Sequence, residues 1–233
     1  MMKLLIADIV GGQLAEGVRL PREADLAVQF NVSRGVAREC IRALEERGLV
    51  TVVHGRGAAV NGRERWDSFD PDVLAGMLES PHSVAILSDY LECRRVIEVE
   101  AAGLAASRAR KADLATLASA MDDMEKAAAR PRGTVAEERF HVADIAFHQA
   151  LISATGNHAL GNLAARIQTA LFGARLPLAR PQNRSATALP EHRRILAAVR
   201  DGDPAGARTA MTRHLRTVEK YLKDYEARIR AVA

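Results

Sequence analysis

An aspartate and three histidines stand where apolar side chains belong. In the helical pattern of 135–155 the inward stripe is Phe140, Asp144, Phe147, His148 and Leu151, so a carboxylate and an imidazole lie one turn apart on a face that should be buried. A second stripe, Leu189, His192, Leu196 and Val199, and a third, Met211, His214, Val218 and Tyr221, each turn one histidine inward. Such groups are costly to bury unless they bind something. Asp144, His148, His192 and His214 in one bundle suit a divalent metal ion, zinc first and nickel or manganese next, with coordination positions left for water or a ligand oxygen. A lone core histidine is more often hydrogen-bonded to a carbonyl than metal-bound; three on stripe positions together with Asp144 favour the metal. The remaining histidines supply the contrast: His82 follows Pro81 at a break, His141 is off the stripe, and His158 opens a helix after Gly156-Asn157.

Arg94 is a second anomaly. It lies along the apolar seam Leu87, Tyr90, Leu91, Ile97, Glu98, Ala101, where a guanidinium needs an anionic partner. Glu98, one turn on, makes a plain internal ion pair one reading; the other is an incoming small carboxylate, such as a hydroxy acid, held bidentately while its oxygens also reach the metal. An enzyme is the competing class. The same centre could activate water as a metal-dependent hydrolase, with Glu191 or Glu98 as general base. Those glutamates, however, are expected off the inward face or beside a cation, and no nucleophile or phosphate-cradling glycine loop appears.

A different chemistry is written near the N-terminus. Ser33 is placed to cap a helix that carries Arg34, Arg38 and Arg42 at i, i+4 and i+8, while Val36, Cys40, Ile41 and Leu44 point elsewhere. A capped helix with a guanidinium ladder suits the major groove of DNA, where arginine pairs bidentately with guanine and helix amides meet phosphate. Taken alone it could equally be an amphipathic surface helix. Its flanks decide: residues 23–30 form a short helix pattern, Asn31-Val32 a tight turn, and Leu49-Val50-Thr51-Val52-Val53, His54-Gly55-Arg56-Gly57 and Ala58-Ala59-Val60 a two-stranded wing with a basic tip.

These sites require two supporting units. With 233 residues the chain can bury two cores. The expected fold is mainly α: a winged helix-turn-helix over 1–62, a linker over 63–72 with a flexible joint near 61–70, where periodicity breaks, and an antiparallel bundle of about six or seven helices over 73–233, with Pro71 opening the first. Breaks are expected near Pro81, Arg110-Lys111, Pro131-Arg132-Gly133, Gly156-Asn157, Arg180-Pro181-Gln182 and Gly202-Asp203-Pro204. A net charge of +4 leans toward a polyanionic partner. Cys40 and Cys93 are read as core or half-buried thiols, with no disulfide framework. The N-terminal apolar run is too short to span a membrane, which places the expected protein in the cytoplasm with no membrane partner. Tyr221, Leu222 and Tyr225 of the last helix are a candidate subunit contact.

The N-terminal strings Arg19-Leu20-Pro21-Arg22-Glu23, Val32-Ser33-Arg34, Val36-Ala37-Arg38-Glu39, Leu44-Glu45-Glu46-Arg47-Gly48-Leu49-Val50 and His54-Gly55-Arg56-Gly57 resemble the GntR superfamily of bacterial transcription regulators. The resemblance implies that Arg34 and Arg38 read bases or grip backbone, that Ser33 touches phosphate, and that His54, Gly55 and Arg56 bring the wing tip near the minor groove. Ala24 stands where many relatives carry an arginine, which removes one contact or moves it to Arg22. The second half, through Glu92-Cys93-Arg94-Arg95-Val96-Ile97-Glu98, Asp144-Ile145-Ala146-Phe147-His148-Gln149-Ala150-Leu151, Gly156-Asn157, Glu191-His192-Arg193-Arg194-Ile195-Leu196 and His214-Leu215, resembles the FCD effector domain of FadR-like members. That likeness implies metal ligation by Asp144, His148, His192 and His214, an effector held by Arg94 and Asn157, and homodimers on pseudo-palindromic double-stranded operators, usually as repressors released by a metabolite. The Trp66 linker and Asp70-Pro71-Asp72-Val73-Leu74 look most like members sensing sugar acids such as galactonate or gluconate; relatives sensing lactate, other organic acids or fatty acyl groups share the scaffold.

Overall fold

The computed structural model describes residues 1–53, 55–79, 83–130, 133–173 and 184–232, which form two compact units dividing between Ile86 and Leu87. His54, His82 and the breaks expected at Pro81, Pro131-Arg132 and Arg180-Pro181-Gln182 lie outside the described residues.

The first unit opens with α1 (Met2–Val10), which buries Leu5, Ile6 and Ile9. Sequence reading passed it over because it is short and has no capping side chain. Helices α2 (Glu23–Gln29) and α3 (Arg34–Glu46) pack through Leu26, Ala27, Ala37, Cys40, Ile41 and Leu44. Between them Asn31 takes a left-handed φ of 52°, which asparagine tolerates better than most residues. Ser33 accepts the Val36 N–H at 3.2 Å and starts α3 as expected. Val36 itself is 51% exposed, because the buried positions of α3 follow i, i+3, i+4, i+7 from Ala37 and leave it outside that stripe.

Strand β1 (Val50–Val53) pairs antiparallel with β2 (Gly57–Val60), Val50 opposite Val60 and Val53 opposite Gly57. Residues 17–20 extend this wing: the Leu20 N–H donates to the Ala58 carbonyl and the Val60 N–H to the Val18 carbonyl, both at 2.9 Å. That third edge carries no alternating pattern and was invisible in the sequence.

The segment after the wing is tied down rather than loose. Asn61 donates from Nδ2 to the Gly48 carbonyl and accepts from Thr51 Oγ1, each at 2.7 Å, and Trp66 Nε1 donates to the Asn61 carbonyl at 3.0 Å. Asp70 then caps α4 (Pro71–Leu78), accepting from the Asp72 and Val73 amides at 3.0 and 3.2 Å. Val73, Leu74 and Met77 are buried, and Gly76 lets α4 approach Ile6 and Val10 of α1. Helix α4 thus shares a core with the first unit, although the sequence suggested that the helical domain begins with it.

The second unit contains α5 (Ser83–Arg108) from Leu87 onward, α6 (Lys111–Ala128), α7 (Thr134–Ser153), α8 (His158–Gly173), α9 (Arg184–Arg200) and α10 (Pro204–Val232). No strand occurs there among the described residues. Its core centres on Leu117, Met124, Phe147, Leu151, Ile195, Met211 and Leu215. Fully buried Ala101, Ala102 and Ala105 keep α5 slim, and Gly103 leaves room for the Arg208 guanidinium of α10, which donates to Glu100 Oε2 at 3.0 Å. Cys40 is buried but Cys93 is exposed, contrary to expectation, since it falls beside the seam of α5 rather than on it. Leu222 is buried and the Tyr221 hydroxyl meets Thr187 Oγ1 at 2.7 Å, so these two are committed within the chain, while the Tyr225 side chain lies outside the description. Among the described residues no helix is long and apolar enough to cross a membrane.

Candidate metal centre and nucleic-acid interface

Asp144 and His148 of α7, His192 of α9 and His214 of α10 converge in the second unit, all four buried, with one ligand atom from each lying within 4.8 Å of the others. Metal bonds of about 2 Å would need the set to draw in slightly, since two ligands of one such ion lie no more than about 4 Å apart. Phe147 forms an apolar wall, its ring edge-on to His192 at 4.9 Å between centroids, and His192 lies 4.4 Å from His214.

Each histidine turns its Nδ1 outward to an acceptor. His192 Nδ1 lies 2.8 Å from the Ala188 carbonyl, His214 Nδ1 lies 3.0 Å from Glu191 Oε2, and His148 Nδ1 lies 2.7 Å from Glu98 Oε2. Carbonyl and carboxylate oxygens only accept, so the ring proton belongs on Nδ1 and in the neutral ring Nε2 presents a lone pair inward; the contacts of His192 and His214 are aligned as hydrogen bonds, whereas that of His148 with Glu98 is close but not so aligned. His192 Nε2 then faces His148 Nε2 at 3.3 Å and Asp144 Oδ1 at 3.2 Å, an array of lone pairs that only a cation or added protons can reconcile. His214 Nε2 is buried with no hydrogen-bond partner. The residues fit a metal ion. Burial, reinforced by neighbouring His192 and His148, holds His214 well below the usual histidine range, and burial likewise lowers His148 against the pull of Glu98. Both therefore favour the neutral, ligating form.

Two glutamates that sequence reading set aside prove central. Glu98 and Glu191 are both buried. Burial opposes the charged form of Glu98, yet Arg94 and His148 on either side hold its carboxyl down at about 2. Glu191 accepts from Thr217 Oγ1 at 2.7 Å while facing His214. A Glu one residue before His192 and another four after Arg94 were the available signals; periodicity alone put Glu191 beside the stripe. Both carboxylates are already engaged, Glu98 by Arg94 and Glu191 by Thr217.

Arg94 Nε donates to Glu98 Oε1 at 2.7 Å, so the internal ion pair is formed. Asn157 is not part of the buried cluster: it is exposed, and its Oδ1 accepts the Leu160 N–H at 3.1 Å at the start of α8.

In the first unit Arg34, Arg38 and Arg42 are all exposed along α3, with Arg42 paired to Glu39 at 3.1 Å. Gly55 and Arg56 are exposed at the wing tip, where the Arg56 amide closes the turn on the Val53 carbonyl at 2.9 Å.

A winged helix-turn-helix with an exposed arginine face, followed by a separate helical unit enclosing an Asp-His cluster, defines a two-domain DNA-binding transcriptional regulator. Residues 2–60 match the bacterial regulatory proteins of the gntR family and residues 89–217 match the FCD domain, and the chain belongs to the FadR-like, FCD-bearing GntR regulators. It is 32% identical over 219 residues to the galactonate operon transcriptional repressor of Escherichia coli K12, covering 93% of this chain and 92% of that one. It is 32% identical over 222 residues to the transcriptional regulator LutR of Bacillus subtilis 168, covering 93% and 97%. A solved structure of Lar, which controls expression of the Listeria monocytogenes agr system, shares the fold with a TM-score of 0.64 at 20% identity, covering 96% of this chain and 94% of that one. These domains and relatives are transcriptional regulators, not enzymes, and so is this protein; the hydrolase alternative is not supported.

Proposed function

We propose that the protein is a metabolite-responsive repressor that binds a pseudo-palindromic operator as a homodimer and is released by a small carboxylate, most simply a sugar acid. The observation that carries this reading is the inward convergence of Asp144, His148, His192 and His214 with Arg94 tied to the same cluster through Glu98. Zinc suits the mixed nitrogen and oxygen donors best, with nickel or manganese next. A bound divalent ion would offer Lewis-acid positions to carboxylate and hydroxyl oxygens. Arg94 supplies the complementary charge, its guanidinium matching a carboxylate bidentately. The likeness to the E. coli galactonate operon repressor supports the sugar-acid class.

On the DNA side, Arg34, Arg38 and Arg42 are assigned to the major groove, Ser33 to a phosphate, and His54, Gly55 and Arg56 to the wing contact. Acid binding favours an arrangement in which the two reading heads no longer match the half-sites; a coupling of about 1–3 kcal/mol suffices.

The test is fluorescence anisotropy of the metal-replete protein on DNA from upstream of its own gene, with and without a panel of sugar acids and short hydroxy acids. Tight, salt-sensitive binding relieved by one acid is the expected result. Binding no stronger than to random DNA under every condition would overturn the reading.

A further inference from the structure

The outward partners of the three histidines differ in kind. His192 uses the Ala188 carbonyl on its own helix, and His214 uses Glu191, whose other oxygen takes the Thr217 hydroxyl. Glu98 alone among these acceptors also holds a cation: Oε1 takes Arg94 Nε at 2.7 Å while Oε2 lies 2.7 Å from His148 Nδ1, and the residue is 2% exposed. Oε1 is hydrogen-bonded, whereas Oε2 and His148 Nδ1 are in contact without hydrogen-bond alignment, and a carboxylate held between two such partners and shielded from water cannot swing toward one without loosening the other.

We propose that Glu98 is a shared positioning residue, which orients the metal ligand His148 and the effector arginine Arg94 at once, so that occupancy at either end is felt at the other. This deepens the effector-site reading above and rests on it. When Arg94 turns its charge to an incoming carboxylate, Glu98 is left to act more strongly on the His148 ring proton, which makes Nε2 a better donor. When His148 Nε2 is engaged, its Nδ1–H draws harder on Glu98 and loosens Arg94 for a ligand. The link is reciprocal in affinity.

The test uses the full chain and zinc alone, with no acid present, titrated against a chromophoric chelator. Glu98→Gln keeps the shape but loses the charge and one acceptor oxygen, and zinc binding is expected to weaken about 10–100-fold. Arg94→Gln, which alters no ligand, is expected to tighten zinc binding by up to roughly tenfold, since Glu98 then serves His148 alone. The decisive reading is the double-mutant cycle: in the Glu98→Gln background the Arg94→Gln effect shrinks toward zero. Cobalt(II) spectra provide a second signature, with the visible bands shifted by either substitution. If the wild type binds zinc and both variants bind it equally well with unchanged cobalt spectra, or if the two effects simply add, the shared role is overturned while the metal site stands. A wild type that binds no zinc overturns both. If Glu98→Gln does not fold, Arg94→Gln still decides, because unchanged zinc affinity and cobalt bands in that variant contradict the link.

Discussion

Arg47, at the end of α3, holds Asp70, the residue that caps α4, at 3.1 Å. It also reaches Asp72 at 3.8 Å and donates to the Ala43 carbonyl at 2.9 Å, while its own carbonyl accepts the Asp67 N–H at 2.8 Å. The exit of α3 and the entry of α4 are therefore joined through side chain and backbone alike, and residues 61–70 do not form the loose joint that their broken periodicity suggested.

Asp70→Ala removes the side-chain cap of α4 together with the partner of Arg47. Stability should fall by about 1–2 kcal/mol, mostly from the lost cap, since a partly exposed ion pair adds little. Urea unfolding followed by circular dichroism measures this, and an unchanged midpoint would show that α4 needs no tie to α3.

Gly48 has φ +69°, and a Cβ there would collide with the Arg65 carbonyl. Gly48→Ala combines backbone strain with that clash and should cost about 1–3 kcal/mol. A melting temperature equal to the wild type would mean that the 61–70 segment yields easily.

Arg38→Ala removes an exposed side chain from α3 and should leave the melting temperature within a degree or so, because the residue carries no buried contact. Operator affinity should drop by about 1–3 kcal/mol if the guanidinium pairs with a base. Equal binding by variant and wild type in a gel shift would remove Arg38 from the recognition surface.

Acid should destabilise the metal-free protein in two stages. His148 and His214 lie below their ordinary 6.5 in the fold, so as the pH drops through that value the unfolded chain takes up protons that the folded chain refuses, and stability declines. Glu98, held at about 2 against an ordinary 4.5, contributes stability that is complete above 4.5 and is lost as the pH falls toward 2. Thermal melts between pH 8 and 4 should show a falling midpoint; a flat or rising curve toward acid contradicts the neutral, buried state of the two rings.

His148→Ala breaks the cluster without touching α3. DNA binding is expected to persist while the response to acid in the anisotropy assay disappears, and chelator should mimic the variant in the wild type. A normal response in either case would show that acid is sensed elsewhere.

Much of this architecture could be read from the chain. The order helix, turn, helix, wing follows from local signals, namely the Ser33 cap, the Gly48 stop and the β-branched run at 49–53, and those act within a few residues whatever surrounds them. Stripe periodicity likewise picked Asp144, His148, His192 and His214, because an ionisable group repeated on apolar faces is conspicuous in one dimension. What periodicity could not reveal is which off-stripe residue turns toward a neighbour. Glu98 and Glu191 gained their roles from helix rotation and crossing, which bring α5 against α7 and α9 against α10 at particular side chains. The same holds for α1, for the third edge of the wing and for α4, whose allegiance was settled by where its apolar face found a complement. Local chemistry is encoded by neighbours in sequence, so most of the elements and the inward-facing Asp-His set were determined there. The partners of those ligands are separated by tens of residues and are chosen by packing, so only the tertiary structure decided them.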